Sequence, residues 1–287
     1  MEEVPDNEIN NRCVYLPHHA VVREDKETTK LRVVFDASCK GSNGISLNDE
    51  LMIGPVLQED MRSIVMRWRT HKICFTSDII KMYRMVLLDS KDIDYHRILW
   101  RRNTEDTDKI KDYRLKTVTF GTASAPYLAI KTLMKLADDE GKQYHEAAKI
   151  IREDFYVDDL ISGCDSVDQA ICLTKEIIII LREGGFELQK WASNNAELLK
   201  SMDNDKITTK AKLELKLGGT IRTLGLSWNL EEDEFQYEIQ LNSLQLQITK
   251  RNILSDLQKL FDPLGWIAPA IVTAKILVQK LWLEGIG

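Results

Sequence analysis

The sequence contains 287 residues, of which 44% are hydrophobic and 29% charged, with a formal net charge of −6. This composition is globular and excludes disordered and collagen-like chains, and the length suits one large domain or two ordinary ones. The purest apolar run, Ile177–Leu181, is too short to cross a membrane, and the acidic N-terminus lacks the apolar core of a secretory signal. Five cysteines without a Cys-x-x-Cys pair argue against a disulfide framework or a zinc ribbon and favour a reducing compartment.

Strands and helices are predicted to interleave without a clean βαβ alternation, which indicates an α+β fold. No internal repeat or low-complexity linker interrupts the chain. In chain order, the predicted elements are a strand at 31–35, a helix at 56–69, a strand at 72–76, strands at 97–101 and 113–119, a helix at 127–137, a β segment at 155–160, a helix at 166–183, strands at 224–228 and 235–240, and helical segments from 255 onward.

The negative charge is concentrated in two short segments, 1–8 and 231–238, which together contain nine acidic residues and no basic one. Without these nine acids the formal charge of the chain would be +3. Basic residues cluster at 62–72 and 190–222. The acidic segments are therefore either solvated tails beside an ordinary surface or segments that face away from a basic nucleic-acid-binding groove. Net charge alone does not decide between these interpretations.

The strongest local signal is a pair of adjacent aspartates, Asp158 and Asp159, between bulky β-formers in the segment Phe155–Leu160. Neighbouring carboxylates repel each other and suit strands poorly, so the pair indicates either a hairpin with a purely structural role or a hairpin tip that binds a divalent cation. Mg²⁺ prefers oxygen ligands, typically one or two carboxylates together with substrate phosphates. Asp78 ends an apolar strand, where it is either a helix N-cap or a further metal ligand. A strand-ending acid and a hairpin acid pair are the arrangement used in two-metal phosphoryl transfer.

Six short motifs along the chain occur in the order that one protein family shows. A single Asp-Asp pair would identify a family only weakly, whereas six ordered motifs at suitable spacings are a strong signal. They are Arg32-Val-Val-Phe-Asp36, Asp78-Ile-x-x-x-Tyr83, Phe120-Gly-Thr-Ala-Ser-Ala-Pro126, Tyr156-Val-Asp-Asp159, Gly185-Phe-Glu-Leu-Gln-Lys190-Trp and Leu224-Gly-Leu-Ser-Trp228. Together with the tail from Thr249 to Trp282, they resemble the reverse transcriptase domain of LTR retrotransposons, specifically of the BEL/Pao group. The resemblance extends over about residues 12–284.

The resemblance implies a right-hand polymerase fold with fingers, palm and a partial thumb, the palm being a split βαβ sheet. The implied divisions are fingers at 12–71, palm with the first catalytic motif at 72–96, a fingers/palm segment at 97–126, palm at 127–242, and partial thumb or connection at 243–287.

The resemblance also assigns roles to individual residues. Asp78, Asp158 and Asp159 match the catalytic carboxylates that hold Mg²⁺ or Mn²⁺, with Asp159 more peripheral, and the carbonyl of Ile79 would complete one coordination sphere. Tyr83 matches the aromatic steric gate that excludes a ribose 2′-hydroxyl, although a core aromatic residue is the alternative.

Three further residues are implied to contact the substrate. Arg32 matches an arginine that holds the incoming triphosphate, a task suited to a bidentate guanidinium. Gly121 either allows the backbone to approach the nucleotide or is an ordinary turn glycine. Lys190 either protonates the leaving pyrophosphate or is simply solvated.

The implied reaction is template-directed addition of dNTPs to a primer 3′-hydroxyl, with an RNA or DNA template-primer as partner and no membrane. The expected setting is intracellular, in a cytoplasmic virus-like particle, with the RNase H and integrase of a retrotransposon polyprotein outside this chain. The rival interpretation is a truncated or degenerate transposon remnant that binds nucleic acid without catalysis. An aspartic peptidase is disfavoured because the sequence contains neither Asp-Thr-Gly nor Asp-Ser-Gly.

Overall fold

The computed structural model describes residues 1–24, 30–101, 109–203, 218–237, 249–260 and 262–285. The chain divides into two compact units. The first comprises Met1–Glu59, Ser77–Leu160 and Ile171–Gln189, and the second comprises Asp60–Thr76, Ile161–Ala170 and Lys190–Gly287. Within the described ranges, no helix combines the length and the apolar character that crossing a bilayer requires.

The chain has the mixed α and β content that the sequence predicts. The strands are β1 (Glu2–Glu3), β2 (His18–Val22), β3 (Leu31–Phe35), β4 (Ile73–Ile79), β5 (Arg97–Trp100), β6 (Lys111–Arg114), β7 (Phe155–Tyr156), β8 (Asp159–Cys164), β9 (Leu188–Ser193), β10 (Thr220–Thr223), β11 (Leu226–Asn229) and β12 (Glu234–Gln236). The helices are α1 (Leu47–Glu50), α2 (Met61–Trp68), α3 (Ala125–Glu140), α4 (His145–Glu153), α5 (Val167–Glu183), α6 (Ala196–Asp203), α7 (Lys250–Gln258) and α8 (Ala268–Leu283). Short 3-10 helices lie at Asp6–Glu8, Met82–Met85, Ile93–His96 and Gly141–Gln143.

The described strands form four sheets. Two of them belong to the first unit, with strand orders β1-β6-β5 and β2-β3, and a third, β10-β11-β12, belongs to the second unit. The fourth sheet has the order β7-β8-β4-β9 and includes strands with residues in both units. Strands β2 and β3 pair as an antiparallel hairpin in which Val21 lies opposite Arg32.

A hydrophobic core in the first unit forms beneath the β5–β6 ladder. Ile98 and Tyr113 are directly opposite each other on these antiparallel strands, and both are buried. They pack with buried Leu16, Ala37 and Leu47, the last of which opens helix α1. Because cross-strand neighbours on one face present their side chains to the same side, this pairing holds β5 and β6 in register.

The acidic N-terminal segment is not a solvated tail. Strand β1 pairs with β6, and Arg114 on β6 donates to Glu2 at 2.7 Å and to Glu8 at 2.5 Å. Lys116 makes a further ion pair with Glu2 at 2.8 Å, and these two cations lower the pKa of the Glu2 carboxyl, Lys116 having the larger effect. The solvated-tail interpretation of residues 1–8 is therefore wrong, because this segment is ion-paired to the sheet.

The second acidic segment is also held by specific contacts, within the second unit. Asp233 accepts hydrogen bonds from the Arg69 guanidinium at 2.5 Å and from the Trp228 indole at 2.9 Å. The rings of Trp68 and Trp228 pack edge to face at 4.6 Å, and the Trp68 and Phe235 rings lie 5.4 Å apart. The turn before β12 is therefore pinned to α2. Glu238, the last acid of the segment, lies outside the described residues.

Several predicted element boundaries require correction. Residues 56–60 of the predicted first helix are not helical, because Asp60 caps α2 by accepting the Arg62 N–H at 2.8 Å. The strand predicted at 72–76 continues to Ile79 as β4, so that Asp78 lies within a strand rather than at a helix N-cap. The strand predicted at 113–119 ends at Arg114, and the predicted strand residues 238–240 lie outside the described ranges.

Candidate active site

The adjacent aspartates lie on a tight hairpin, which both sequence interpretations predict. Tyr156 on β7 pairs with Asp159 on β8, so Val157 and Asp158 form the two-residue connection between the strands. Val157 has a φ of 58°, a left-handed conformation that is a rare outlier for a β-branched residue. Asp158 is exposed and Asp159 is half-buried. The hairpin therefore presents Asp158 to solvent at the cost of backbone strain.

A backbone hydrogen bond ties strand β4 to this hairpin. The N–H of Ile79, the residue after Asp78, donates to the carbonyl of Asp158 at 2.8 Å. On its other side, Asp78 Oδ2 accepts a hydrogen bond from the side-chain amide of Gln189 at 3.3 Å. The hydroxyl of Ser77 donates to the Gln189 carbonyl at 2.7 Å, which fixes Gln189 beside the end of β4. Asp78 and Asp158 thus belong to neighbouring backbone segments, as the order of the motifs predicts.

The three aspartates do not form a preassembled metal cage. Within the described residues, no group of three or more His, Cys, Asp or Glu side chains is arranged to hold a metal ion. Two carboxylates such as Asp78 and Asp158 match the donor chemistry of Mg²⁺ sites in phosphoryl-transfer enzymes, which use one or two carboxylates and take further ligands from substrate phosphates. The donor set fits a cation that arrives with a polyphosphate better than a permanently bound one.

Tyr83 lies next to the aspartate hairpin, in the 3-10 helix after β4. Its ring packs edge to face on Phe120, with 4.8 Å between the ring centroids and 80° between the ring planes. Burial raises the pKa of the Tyr83 hydroxyl, and the negative charge of Asp158 raises it further. The phenol therefore stays protonated at neutral pH.

Gly121 has a structural role. Its φ is 93°, and a Cβ placed on it would lie 2.5 Å from the carbonyl oxygen of Phe35. Asn48, which the sequence interpretation did not single out, holds the same turn: its amide donates to the Gly121 carbonyl at 3.0 Å, and its oxygen accepts the Ala123 N–H at 2.8 Å. Close packing against β3 is thus sufficient to require a glycine here, and the approach of the Gly121 backbone to a nucleotide stays a prediction.

The other two proposed substrate residues are exposed cations. Arg32 lies on β3, opposite Val21, with its side chain exposed. Lys190 lies on β9 in the second unit, is exposed and has a φ of 55°. Their roles in substrate binding remain predictions.

A cavity of about 280 Å³ lies within the first unit, on the side of the Phe120 ring. Its walls are mainly apolar and aromatic, and Arg84, Thr117 and Thr119 are polar residues among them. The His18 and Trp100 rings in its wall lie 5.8 Å apart. The sequence interpretation missed this cavity, because its walls come from β2, β3, β5 and the segment after β6, which are distant in the chain.

Comparison with known proteins gave a family match for one part of the sequence. Residues 249–287 match a family described as the Pao retrotransposon-like RNaseH-like domain. This range coincides with the tail that resembles BEL/Pao elements, and the match supports an origin in a retroelement polyprotein. No curated protein matches the sequence.

Comparison with solved structures showed a shared fold. The foamy viral protease-reverse transcriptase in complex with an RNA/DNA hybrid matches 94% of this chain with a TM-score of 0.59 and 14% identity. The dRH form of that protein in complex with double-stranded DNA matches 85% with a TM-score of 0.56 and 16% identity. This chain spans 31% and 35%, respectively, of those proteins. The chain is therefore related in fold to a retroviral protease-reverse transcriptase and, through its tail, to retroelement polyproteins.

Proposed function

We propose that this chain is the polymerase part of a retroelement reverse transcriptase, with a right-hand fold and the fingers, palm and thumb ranges implied by its motifs. The reaction is addition of dNTPs to a primer 3′-hydroxyl, directed by an RNA or DNA template, in an intracellular particle. The observation that carries the proposal is the 2.8 Å hydrogen bond from Ile79 N–H to the Asp158 carbonyl, because it brings together the two motifs that contain the aspartates.

In this proposal Asp78 and Asp158 hold the divalent cations, and Asp159 is a more peripheral carboxylate of the same site that pairs with Tyr156 across the hairpin. Bound Mg²⁺ or Mn²⁺ would stabilise the negative charge that develops on the reacting phosphate and lower the pKa of the attacking hydroxyl. Tyr83 would exclude the ribose 2′-hydroxyl with its ring. Arg32, Lys190 and the Ile79 carbonyl would bind the triphosphate, the leaving pyrophosphate and a cation, respectively.

The cavity beside Phe120 supports nucleotide binding next to Tyr83. Aromatic rings on its walls offer surfaces for stacking, and the guanidinium of Arg84 offers a partner for a phosphate group. The cavity belongs to the same unit as the two aspartates, Asp78 and Asp158. In this proposal one nucleotide occupies the cavity and extends its phosphates to the aspartates.

The decisive experiment is primer extension with Mg²⁺ or Mn²⁺, using the full chain and its Asp78→Asn and Asp158→Asn variants. We expect extension by the parent protein and a loss of at least about 1,000-fold in each variant, because removing one carboxylate ligand removes transition-state stabilisation. Asp168→Asn is the matched control, since Asp168 is an exposed aspartate in the first turn of α5. Undiminished extension by both site variants would refute the proposal.

The match at 249–287 supports a second candidate, an RNase H-like nucleic-acid-processing domain. Hydrolysis of the RNA strand of an RNA/DNA hybrid, measured with the same protein and cations, distinguishes the two. Hydrolysis that persists in Asp78→Asn and Asp158→Asn while extension is absent would favour this second candidate.

A further inference from the structure

The hairpin that carries Asp158 contains a backbone group that its own ladder cannot satisfy. Val157 is the first residue of a two-residue connection, and its N–H does not belong to the β7–β8 pairing. This N–H instead donates to the side-chain oxygen of Gln58 at 3.2 Å. Because the donor is a backbone N–H, the accepting atom of the Gln58 amide must be its oxygen.

The Asp158 backbone is thereby held from both sides. On the N-terminal side of the turn, the Gln58 side chain accepts a hydrogen bond from the Val157 N–H. On the C-terminal side, the Ile79 N–H donates to the Asp158 carbonyl. Between these two bonds lies Val157, with its φ of 58°. A β-branched residue leaves this conformation unless its surroundings enforce it, so each of the two bonds helps to set where the Asp158 carboxylate lies.

Gln58 is itself well placed to act as a fixed support. It is half-buried and lies in the connection between α1 and α2, which is anchored four residues earlier at Gly54. At Gly54 the chain approaches the Tyr127 ring so closely that a Cβ would lie 2.5 Å from it. The backbone of this connection thus lies against α3 at Gly54. Four residues later, the Gln58 side chain reaches the hairpin.

We propose that Gln58 is a positioning residue for the metal-binding site: by accepting the Val157 N–H it holds the strained turn and so fixes the position of Asp158, whose carbonyl accepts the Ile79 N–H at the end of β4. The inference rests on the proposed function, since it assigns Asp158 to a cation. Residues that orient metal ligands without contacting the metal typically contribute about 10- to 100-fold to metal affinity or activity. Gln58 would act through the turn and contact neither cation nor nucleotide.

The test is the affinity of the full chain for Mn²⁺, which is measured by electron paramagnetic resonance and by calorimetric titration. We expect Gln58→Leu to weaken Mn²⁺ binding about 10-fold or more and to lower kcat by a similar factor, with the KM for template-primer unchanged. Gln143→Leu is the control, because Gln143 is an exposed glutamine in the 3-10 helix after α3. Gln58→Ala replaces Gln58→Leu if the leucine impairs folding.

A double-mutant cycle shows whether Gln58 acts through the turn. Glycine adopts a φ of 58° without strain, so Gln58→Leu should cost much less Mn²⁺ affinity in a Val157→Gly background than in the parent protein. The inference would be overturned if Gln58→Leu lowered Mn²⁺ affinity equally in the Val157→Gly background and in the parent protein. It would also be overturned if Gln58→Leu alone bound Mn²⁺ within twofold of the parent affinity.

Hydrogen–deuterium exchange of the segment Phe155–Leu160 separates this inference from the proposed function. We expect exchange at Val157 to become at least about 10-fold faster in Gln58→Leu and to stay unchanged in Gln143→Leu. Unchanged exchange would refute the positioning role. A third outcome is also informative. If exchange becomes faster in Gln58→Leu but Asp158→Asn binds Mn²⁺ as tightly as the parent protein, Asp158 is not a metal ligand. Gln58 then has no role in metal binding.

Discussion

Tyr83 combines two properties that a buried aromatic residue of a core would not need. Its hydroxyl is exposed to the electrostatic field of Asp158, which together with burial raises its pKa, and its ring is held in one orientation by the edge-to-face contact with Phe120. Such a pair contributes about 0.5–1.5 kcal/mol beyond the area it buries. The contact with Phe120 thus restricts the orientation of the ring.

If Tyr83 is a sugar gate, shortening its side chain should admit ribonucleotides. We expect Tyr83→Val to lower the preference for dNTP over rNTP by about 10- to 100-fold, measured as the ratio of kcat/KM values, because the volume beside the sugar is vacated. Tyr83→Phe keeps the ring and should keep the preference. Equal discrimination by the parent protein and Tyr83→Val would identify Tyr83 as a packing residue.

At the scale of elements, the turn between Phe120 and α3 depends on a close approach to strand β3. Gly121 fits there because it has no side chain to meet the carbonyl oxygen of Phe35, and Asn48 of α1 bonds both to its carbonyl and to Ala123. A backbone oxygen cannot rotate away as the end of a flexible side chain can. This contact links β3, α1 and the start of α3 within the first unit.

We expect Gly121→Ala to lower the free energy of unfolding by about 2–4 kcal/mol, the sum of a left-handed φ and a backbone clash. Gly185→Ala is the matched control, because Gly185 also has a positive φ, of 75°, but has open space where its Cβ would be. Backbone strain alone should cost that variant about 1 kcal/mol. Urea unfolding of both variants measures the difference, and equal losses would contradict the close approach to Phe35.

The two acidic segments act as parts of the fold, each in its own unit. In the first unit, Glu2 and Glu8 neutralise Arg114, a residue with little exposure, and in the second Asp233 bonds to both Arg69 and Trp228. An arginine that is largely withdrawn from water requires such partners, because an isolated buried charge is strongly destabilising. The acids at these positions are therefore structural, whatever the chain binds.

At the scale of the whole molecule, nucleic-acid binding by an acidic protein depends on where its cations lie. Lys250 and Arg251 are the first residues of α7, whose N-cap Thr249 accepts the Asn252 N–H at 3.2 Å. The N-terminal end of a helix carries a partial positive charge, and this charge adds to that of the two side chains. The start of α7 is therefore well suited to a backbone phosphate.

We expect Lys250→Gln/Arg251→Gln to weaken template-primer binding and to reduce the slope of log affinity against log salt by about 0.7–0.9 for each lost phosphate contact. Lys142→Gln, a change of an exposed lysine after α3, is the control. A salt slope that is the same in the double variant and the parent protein would exclude α7 from the binding surface.

Reversing acidic residues of the second segment provides the complementary measurement. Glu231, Glu232 and Glu234 should be changed to lysine while Asp233 is left intact, because Asp233 holds Arg69 and Trp228. Exposed charges farther than about 8–10 Å from the nucleic acid are largely screened, so affinity should change little. The reversal could instead tighten binding by as large a factor as Lys250→Gln/Arg251→Gln weakens it. That result would mean that these acids lie against the nucleic acid.

The local features of this protein were determined by the sequence itself. Two aspartates between β-formers predict a hairpin, and a two-residue hairpin is present at Val157 and Asp158. The helix predicted from Ser166, with its stop at Gly184 and Gly185, is observed as Val167–Glu183. Short-range signals such as caps, turn residues and strand periodicity act over a few residues, and these can be recognised without knowledge of the fold.

The long-range side-chain contacts of this protein were decided by the tertiary structure alone. The bond between Gln58 and Val157 joins residues 99 apart in the chain, the Arg114–Glu2 pair joins residues 112 apart, and the Arg69–Asp233 pair joins residues 164 apart. No local pattern marks Gln58 as the acceptor of a turn N–H or Glu2 as the partner of Arg114. Each of these side chains is polar and locally unremarkable, and its partner is set only by which backbone segments the folded chain brings within hydrogen-bonding distance.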